Sequence, residues 1–277
     1  AYNTPQHRKT ALEAARESVV LLKNERQILP IKKEKQTRIL LIGENARQLH
    51  ANGGGSAEIK ALYEISPLMG MKSQLGGNAE IAFVQGYCGD ETKQEQQETN
   101  WQEKSLENGG GSMIQHQNPK LTEKRRKLRE EALRLAADYD TVIFVGGLDH
   151  THDCEGNDRP DMKLPYEQDL LIQKLLEVRK DLIIVMLAGS PVEMKSWIHQ
   201  ADTVVWSWYA GMEGGNAMAE VLLGKVNPSG KLPETFYKTH RDCSAHAVGT
   251  FAETTSVAYR EGSYVGYRYQ DKYQVEP

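Results

Sequence analysis

The stretch DTVIFVGGL (140–148) is apolar along most of its length and is followed by a polar segment. A strand with one face in water alternates polar and apolar residues, whereas an unbroken apolar run is typical of a strand covered on both faces. Four other runs share this character: TRILLIGEN (37–45), AEIAFVQGY (79–87), DLIIVMLAGS (181–190) and DTVVWSWYAG (202–211). The sequence therefore predicts a sheet buried between two other layers.

Helical patterns separate these runs, because apolar residues recur there every three or four positions. The segments with this pattern are 11–24, 66–76, 121–139, 166–180, 190–200 and 213–224. Ser66-Pro67 and Ser190-Pro191 each place a capping residue before a proline at the first helical position. Strand and helix alternation favours right-handed crossovers. We predict an α/β fold, a three-layer sandwich with a mostly parallel sheet of five to six strands covered by helices on both faces.

The 277 residues are enough for one large domain, and we predict a single α/β sandwich domain over 1–277. Residues 89–120 are rich in Gln, Glu and Asn and contain few apolar side chains, so we expect an exposed excursion there. The last 50 or so residues lose the helical period and are rich in Gly, Tyr and Thr. We expect them to wrap the sandwich as extended strand and loop.

The overall charge excludes one class of partner. A net charge of −4 with 26% charged residues offers no large basic surface for nucleic acid. No apolar run approaches the roughly 20 residues that span a bilayer, so we expect no membrane partner. The three cysteines match no CxxC zinc or redox spacing, and they do not decide the compartment.

Function in open sheets of this kind gathers in loops at the carboxyl ends of the strands. Three polar, glycine-rich loops fall there, at 44–65, 149–165 and 208–216. The second contains HTHDCEGNDR (150–159), which concentrates possible zinc ligands. No second cluster with ligand spacing completes a tetrahedral site. A solvated polar loop is therefore a better interpretation than a metal centre, and we expect no metal.

The sequence offers candidates for two other kinds of site, a phosphate-binding loop and a nucleophilic serine. NGGGSAE (52–58) lacks both the GxGxxG spacing and the Lys-Ser/Thr ending of nucleotide-binding loops. Ser190 lacks the GxSxG pattern of a nucleophilic serine and is more simply a helix cap. No cofactor is therefore expected.

Carboxylates offer the remaining chemistry in HTHDCEGNDR. Glu155 precedes Gly156 and lies between Asp153 and Asp158. Neighbouring carboxylates raise the pKa of one member of such a group, whereas Arg159 can keep Asp158 ionised. A partly protonated glutamic acid is what glycosidic cleavage requires of its proton donor. Spacing alone still favours a surface loop.

Several longer stretches resemble the α/β sandwich domain of glycoside hydrolase family 3, a family of β-glucosidases and β-xylosidases. They are SVVLLKN (18–24), GGGSAEIKALYEISPLMGM (53–71), EGNDRPDMKLPYEQ (155–168) and WYAGMEGGNAMAEVLLGKVNPSGKLPETF (208–236). The third is similar to the family's ExxDRxxLxLPxxQ loop. Small departures occur, since Ala61 and Ala210 stand where the family commonly has proline.

The resemblance implies a set of site residues. Glu155 matches the general acid/base, and Asp158 and Arg159 match a pair that shapes the same loop. Ser56 in loop 52–65 and Glu213 in loop 211–215 are expected to contribute to an outer sugar subsite. A loop-fastening role for Glu213 fits these residues equally well.

The resemblance also implies partners. The family's nucleophilic aspartate lies on a separate (β/α)8 barrel, which is not present in these 277 residues. The expected substrate is a β-glucoside or oligosaccharide with terminal β-linked glucose, hydrolysed with retention. A β-xylosidase of the same family and a non-catalytic carbohydrate-binding or scaffold domain are the alternatives. The resemblance favours a periplasmic or secreted location over a cytoplasmic one.

Overall fold

A computed structural model of the chain describes residues 2–32, 37–90, 119–156, 158–249 and 255–277. Its helices are α1 (Pro5–Ser18), α2 (Pro67–Leu75), α3 (Pro119–Ala136), α4 (Gln168–Val178), α5 (Gly214–Leu222), α6 (Ser244–Ala247) and α7 (Tyr267–Tyr273). Its strands are β1 (Val20–Asn24), β2 (Thr37–Ile42), β3 (Ala79–Val84), β4 (Thr141–Gly147), β5 (Ile183–Leu187) and β6 (Thr203–Trp206). Residues 91–118 of the predicted excursion lie outside the described residues.

The six strands form one sheet in the order β1-β6-β5-β4-β2-β3. Strands β2 to β6 pair in parallel, and β1 joins the edge of β6 in antiparallel orientation. The mostly parallel sheet predicted from the apolar runs is confirmed.

Both faces of the sheet are covered, as an α/β sandwich requires. Along β2, Leu40 and Ile42 pack into a core with α3 and α4, whereas Ile39 and Leu41 pack into a second core with α2 and α5. Successive side chains of a strand point to opposite faces, so one apolar strand supplies both cores. This explains why the central strands are apolar on both faces, and it confirms the three layers.

The predicted helix over 11–24 is wrong in its second half. Helix α1 ends at Ser18, and the following VLLKN forms β1. Val20 aligns with Trp206 and Asn24 with Thr203. A short apolar run is compatible with either helix or strand, and here the open edge of β6 selects the strand.

The two predicted serine caps differ in outcome. The Ser66 hydroxyl accepts a hydrogen bond from the Met69 backbone N–H (3.3 Å), which confirms the start of α2. The predicted helix over 190–200 is wrong, because residues 190–194 are irregular and 195–200 form turns. The Ser190 hydroxyl instead donates a long hydrogen bond to Asp153 (3.5 Å).

Of the extended strand and loop predicted for the C-terminal residues, the loop is confirmed in the described residues and the strand is wrong. The described part of this region forms the short helices α6 and α7 joined by turns and loops. In α7 only Gln270 is buried, so the helix has no apolar stripe that the sequence pattern could reveal.

Asp169, in the first turn of α4, provides a pH-dependent contribution to stability. Its carboxylate accepts a hydrogen bond from the Trp197 indole N–H (2.7 Å). Burial raises the pKa of Asp169 to about 6, although the Trp197 bond opposes the rise. The folded chain therefore binds this proton more tightly than an unfolded chain, whose aspartate pKa is about 3.9.

The Asp169→Asn variant should remove this pH dependence. In the parent chain the contribution is fully present below about pH 4 and is lost as the pH rises through about 6. Asparagine keeps an acceptor for Trp197 but carries no charge. We expect the variant to exceed the parent in unfolding free energy by about 2 to 3 kcal/mol at neutral pH. Urea unfolding across this pH range measures the effect, and parallel profiles for both proteins would contradict it.

Candidate active site

The candidate site lies at the carboxyl ends of β2 and β4. These strands are neighbours, but β2 leads to α2 on one face and β4 leads to α4 on the other. Chains that leave adjacent strands toward opposite faces open a crevice between them. The Asn45 side-chain amide bridges this crevice by donating a buried hydrogen bond to the Leu148 carbonyl (3.0 Å).

Loops 44–65 and 149–165 meet above the crevice through three polar contacts. The backbone N–H of Gly54 donates to the Asp153 carbonyl (3.4 Å), and the His150 ring Nε2 lies 2.7 Å from the Asn52 carbonyl. The backbone N–H of Ser56 donates to Glu155 Oε2 (2.6 Å). Residues about 100 positions apart in the sequence are thereby joined.

Glu155 is exposed, and its carboxylate points into the contact with loop 44–65. The hydrogen bonds that Ser56 makes to it, through its side chain and its backbone N–H, lower the pKa of Glu155. Sequence reasoning expected neighbouring carboxylates to raise it. Asp153, the nearest carboxylate along the sequence, instead accepts a hydrogen bond from the Gly189 backbone N–H (3.0 Å).

Arg159 is half-buried and fastens its loop to the turn at 189–191. Its Nη2 donates to the Pro191 carbonyl (2.7 Å). Burial lowers the pKa of the guanidinium, whereas Asp153 raises it. Asp158, in contrast, is exposed at the outer surface of the loop.

Glu213 joins the third loop, 208–216, to loop 44–65. One carboxylate oxygen accepts a hydrogen bond from the Tyr63 hydroxyl, and the other accepts one from the Asn216 amide (2.7 Å). Glu213 is only 9% exposed. The arrangement supports the loop-fastening role that the sequence left open for this residue.

A hydrogen-bond network around Asp149 lies at the start of the loop that carries Glu155. Sequence reasoning missed this network. One Asp149 oxygen accepts hydrogen bonds from Thr151 (hydroxyl, 2.6 Å) and lies 3.1 Å from His152 Nδ1, while the other accepts one from the Tyr166 hydroxyl (2.6 Å). Burial alone would raise the pKa of Asp149, but the hydrogen bonds from His152, Thr151 and Tyr166 lower it. Of the two histidines that suggested metal, His150 therefore joins two loops, whereas His152 makes its contacts within its own loop and with Tyr166 just after it.

The described part of the chain contains no group of three or more His, Cys, Asp or Glu side chains arranged to hold a metal ion. Within the same residues, no helix is both long and apolar enough to cross a membrane.

Comparison with known proteins identifies the family. Residues 19–267 match the model of the glycosyl hydrolase family 3 C-terminal domain. The chain belongs to glycosyl hydrolase family 3. Within this family 3 domain, the match begins just before β1 and ends at the first residue of α7, so it covers the whole sheet and all three site loops.

Relatives of the family 3 domain are longer proteins. The chain is 38% identical to the β-glucosidase BoGH3A of Bacteroides ovatus, and the alignment covers 100% of the chain but 35% of that protein. It is 34% identical to the thermostable β-glucosidase B of Acetivibrio thermocellus, of which it covers 32%. The chain thus spans about a third of the length of these curated relatives.

Solved structures agree with the fold. The family 3 β-glucosidase of Bifidobacterium adolescentis superposes with a TM-score of 0.78 at 30% identity, over 100% of this chain and 35% of the other. A β-glucosidase of Kluyveromyces marxianus in complex with glucose superposes with a TM-score of 0.83 at 23% identity, over 99% of this chain and 47% of the other. The second likeness supports the fold alone.

Proposed function

We propose that this chain is the sandwich domain of a retaining β-glucosidase and that Glu155 is its general acid/base. The observation that carries the proposal is the position of Glu155: an exposed carboxylate, held by a hydrogen bond, on a loop at the switch point of the sheet. Ligands of open α/β sheets bind at such crevices. The names of the relatives support β-linked glucose as the substrate.

The proposed reaction needs a second carboxylate. In the first step Glu155 protonates the glycosidic oxygen while a carboxylate of a (β/α)8 barrel attacks the anomeric carbon. In the second step the Glu155 carboxylate takes a proton from water, and this water releases the sugar. Retention requires the two carboxyl groups to lie about 5 to 5.5 Å apart. The share of the relatives that the chain leaves uncovered, about two thirds, is large enough for a barrel of roughly 250 residues.

The other predicted site residues receive different roles. Arg159 and Glu213 hold loops in place through the contacts given above, so we propose that they position the site. Contact of Asp158 and Ser56 with substrate stays a prediction. Asp158 is the better candidate for a substrate contact because its side chain is exposed on the same loop as Glu155, whereas the backbone of Ser56 is already engaged.

Assay of two proteins tests the proposal. The complete protein that contains this chain should hydrolyse a nitrophenyl β-glucoside and release glucose with retained configuration, whereas the 277-residue chain alone should be inactive. Product stereochemistry can be followed by NMR. Activity of the chain alone would contradict the need for a barrel, and preference for the nitrophenyl β-xyloside would select the β-xylosidase alternative. Sugar binding without hydrolysis by the complete protein would select the non-catalytic one.

A further inference from the structure

The contact between Ser56 and Glu155 joins an amide of one loop to the proposed catalytic carboxylate of another. The N···O distance of 2.6 Å is short for an N–H donor. Hydrogen bonds with an ionised acceptor are shorter and roughly twice as strong as neutral ones. An N–H donor in this position favours the ionised carboxylate over the neutral acid.

Glycines allow the backbone of loop 52–57 to come this close. Gly55 has φ +73°, and a side chain there would overlap the Cβ atom and a carboxylate oxygen of Glu155. At Gly54, an added Cβ would lie 3.2 Å from the Cβ atom of Cys154. The positive φ at Gly55 is one that L side chains rarely adopt. Gly55 is thus needed for the loop to lie against the acid, and Gly54 leaves little room for a side chain.

We propose that Ser56 is a positioning residue that acts through its backbone N–H, which holds the ionised Glu155 carboxylate in one orientation and releases it when the residue is protonated. The inference rests on the proposed role of Glu155 as acid/base. It explains why a glycine loop with no reactive side chain lies directly against that residue. A backbone donor does not titrate, so it favours the ionised form of Glu155 at every pH.

The surroundings of the contact contain few competing charges. Loop 52–57 carries no titratable side chain. On the Glu155 loop itself, Asp153 bonds to Gly189, His150 lies against the Asn52 carbonyl, and Cys154 packs beside Gly54. Asp158 is exposed. The lowered pKa of Glu155 accordingly comes from Ser56 and from no charged group.

The contact predicts an observable on the chain itself. In the chain labelled with ¹⁵N-serine, the Ser56 amide proton should shift with pH as Glu155 titrates. Glu155→Gln should abolish this titration. Glu58→Gln, which removes another exposed carboxylate of the same loop, should leave it intact. The inference is overturned if the chemical shift of the Ser56 amide proton does not change with pH, or if it changes equally in Glu155→Gln.

A pair of variants at Ser56 tests the consequence for catalysis in the complete protein. Both Ser56→Pro and Ser56→Ala remove the serine hydroxyl, but only Ser56→Pro also removes the N–H, so the difference between the two variants reports the N–H. We expect Ser56→Pro to lower kcat about tenfold or more, because a displaced catalytic group loses its alignment. It should also move the alkaline limb of the kcat/KM profile to higher pH, and Ser56→Ala should move it less. An alkaline limb that is unchanged in Ser56→Pro would also contradict the positioning role.

The two proposals can fail separately. If the Ser56 amide follows Glu155 but the Glu155→Ala protein keeps full activity, the contact exists and the proposed function is wrong. If Glu155→Ala is inactive but the Ser56 amide does not respond to Glu155, the function stands and the positioning role is wrong.

Discussion

Replacement of Glu155 by alanine in the complete protein should lower kcat/KM about 10²- to 10⁴-fold on a β-glucoside with a poor leaving group, because general acid catalysis contributes roughly that factor. The glycosidic oxygen of such a substrate needs a proton as the bond breaks. A dinitrophenolate leaves without protonation, so kcat/KM for a dinitrophenyl β-glucoside should fall by less than about tenfold. Initial rates on both substrates measure the difference.

The second step gives an independent signature of the same residue. Without Glu155 no base activates water, and the glycosyl-enzyme should accumulate on the activated substrate. Azide attacks this intermediate without a base, so it should restore turnover and yield β-glucosyl azide. The small, uncharged alanine leaves room for the azide ion beside the anomeric carbon.

Glu58→Gln is the matched control for Glu155→Ala. Glu58 is an exposed glutamate two residues after Ser56, at the end of the same short turn. Its replacement should leave both substrates within about twofold of the parent, as is usual for an exposed side chain away from such chemistry. Equal losses on both substrates in Glu155→Ala, with no glucosyl azide formed, would show that Glu155 is not the acid.

The buried layers of the fold could be predicted because their physical signal is local. Each of β2, β4 and β5 contains an unbroken run of buried apolar residues, which a sheet covered on both faces requires. The edge strand β1 could not, since VLLKN continues the helical period of α1 and becomes a strand only where β6 offers free backbone groups. The helix predicted from Ser190-Pro191 is wrong for a similar reason. The serine hydroxyl hydrogen-bonds to Asp153, a partner 37 residues earlier in the sequence.

The candidate site likewise contains one residue that a sequence motif reveals and several contacts that no motif reveals. Glu155 stands out by its resemblance to a family motif, but its partner Ser56 contributes a backbone N–H, which every residue except proline possesses. No sequence pattern marks such a donor. The Asp149 network is equally hidden, because Tyr166 reaches it only through a backbone with φ +64°. Contacts of this kind depend on how the strand ends are placed in the sheet.

Gly147→Ala should produce the largest loss of stability among the substitutions considered. Gly147 ends β4 with φ +140°, and an added Cβ would overlap the backbone carbonyl of Leu187. The Gln168 side chain, which is fully buried, hydrogen-bonds to both the N–H and the carbonyl of Gly147 (2.8 Å each). The backbone therefore cannot rotate away without leaving buried polar groups unpaired.

The positive φ, the overlap with Leu187 and the buried hydrogen bonds to Gln168 together predict that Gly147→Ala lowers the free energy of unfolding by about 3 to 5 kcal/mol. Gly77→Ala is the control, because Gly77 has no atom within 4 Å of an added Cβ. It should change stability by less than about 1 kcal/mol. Equal urea midpoints for the two variants would contradict the prediction. Such a result would mean that the turn from β4 toward Asp149 adapts easily, and a loop that adapts easily cannot hold Glu155 in one orientation.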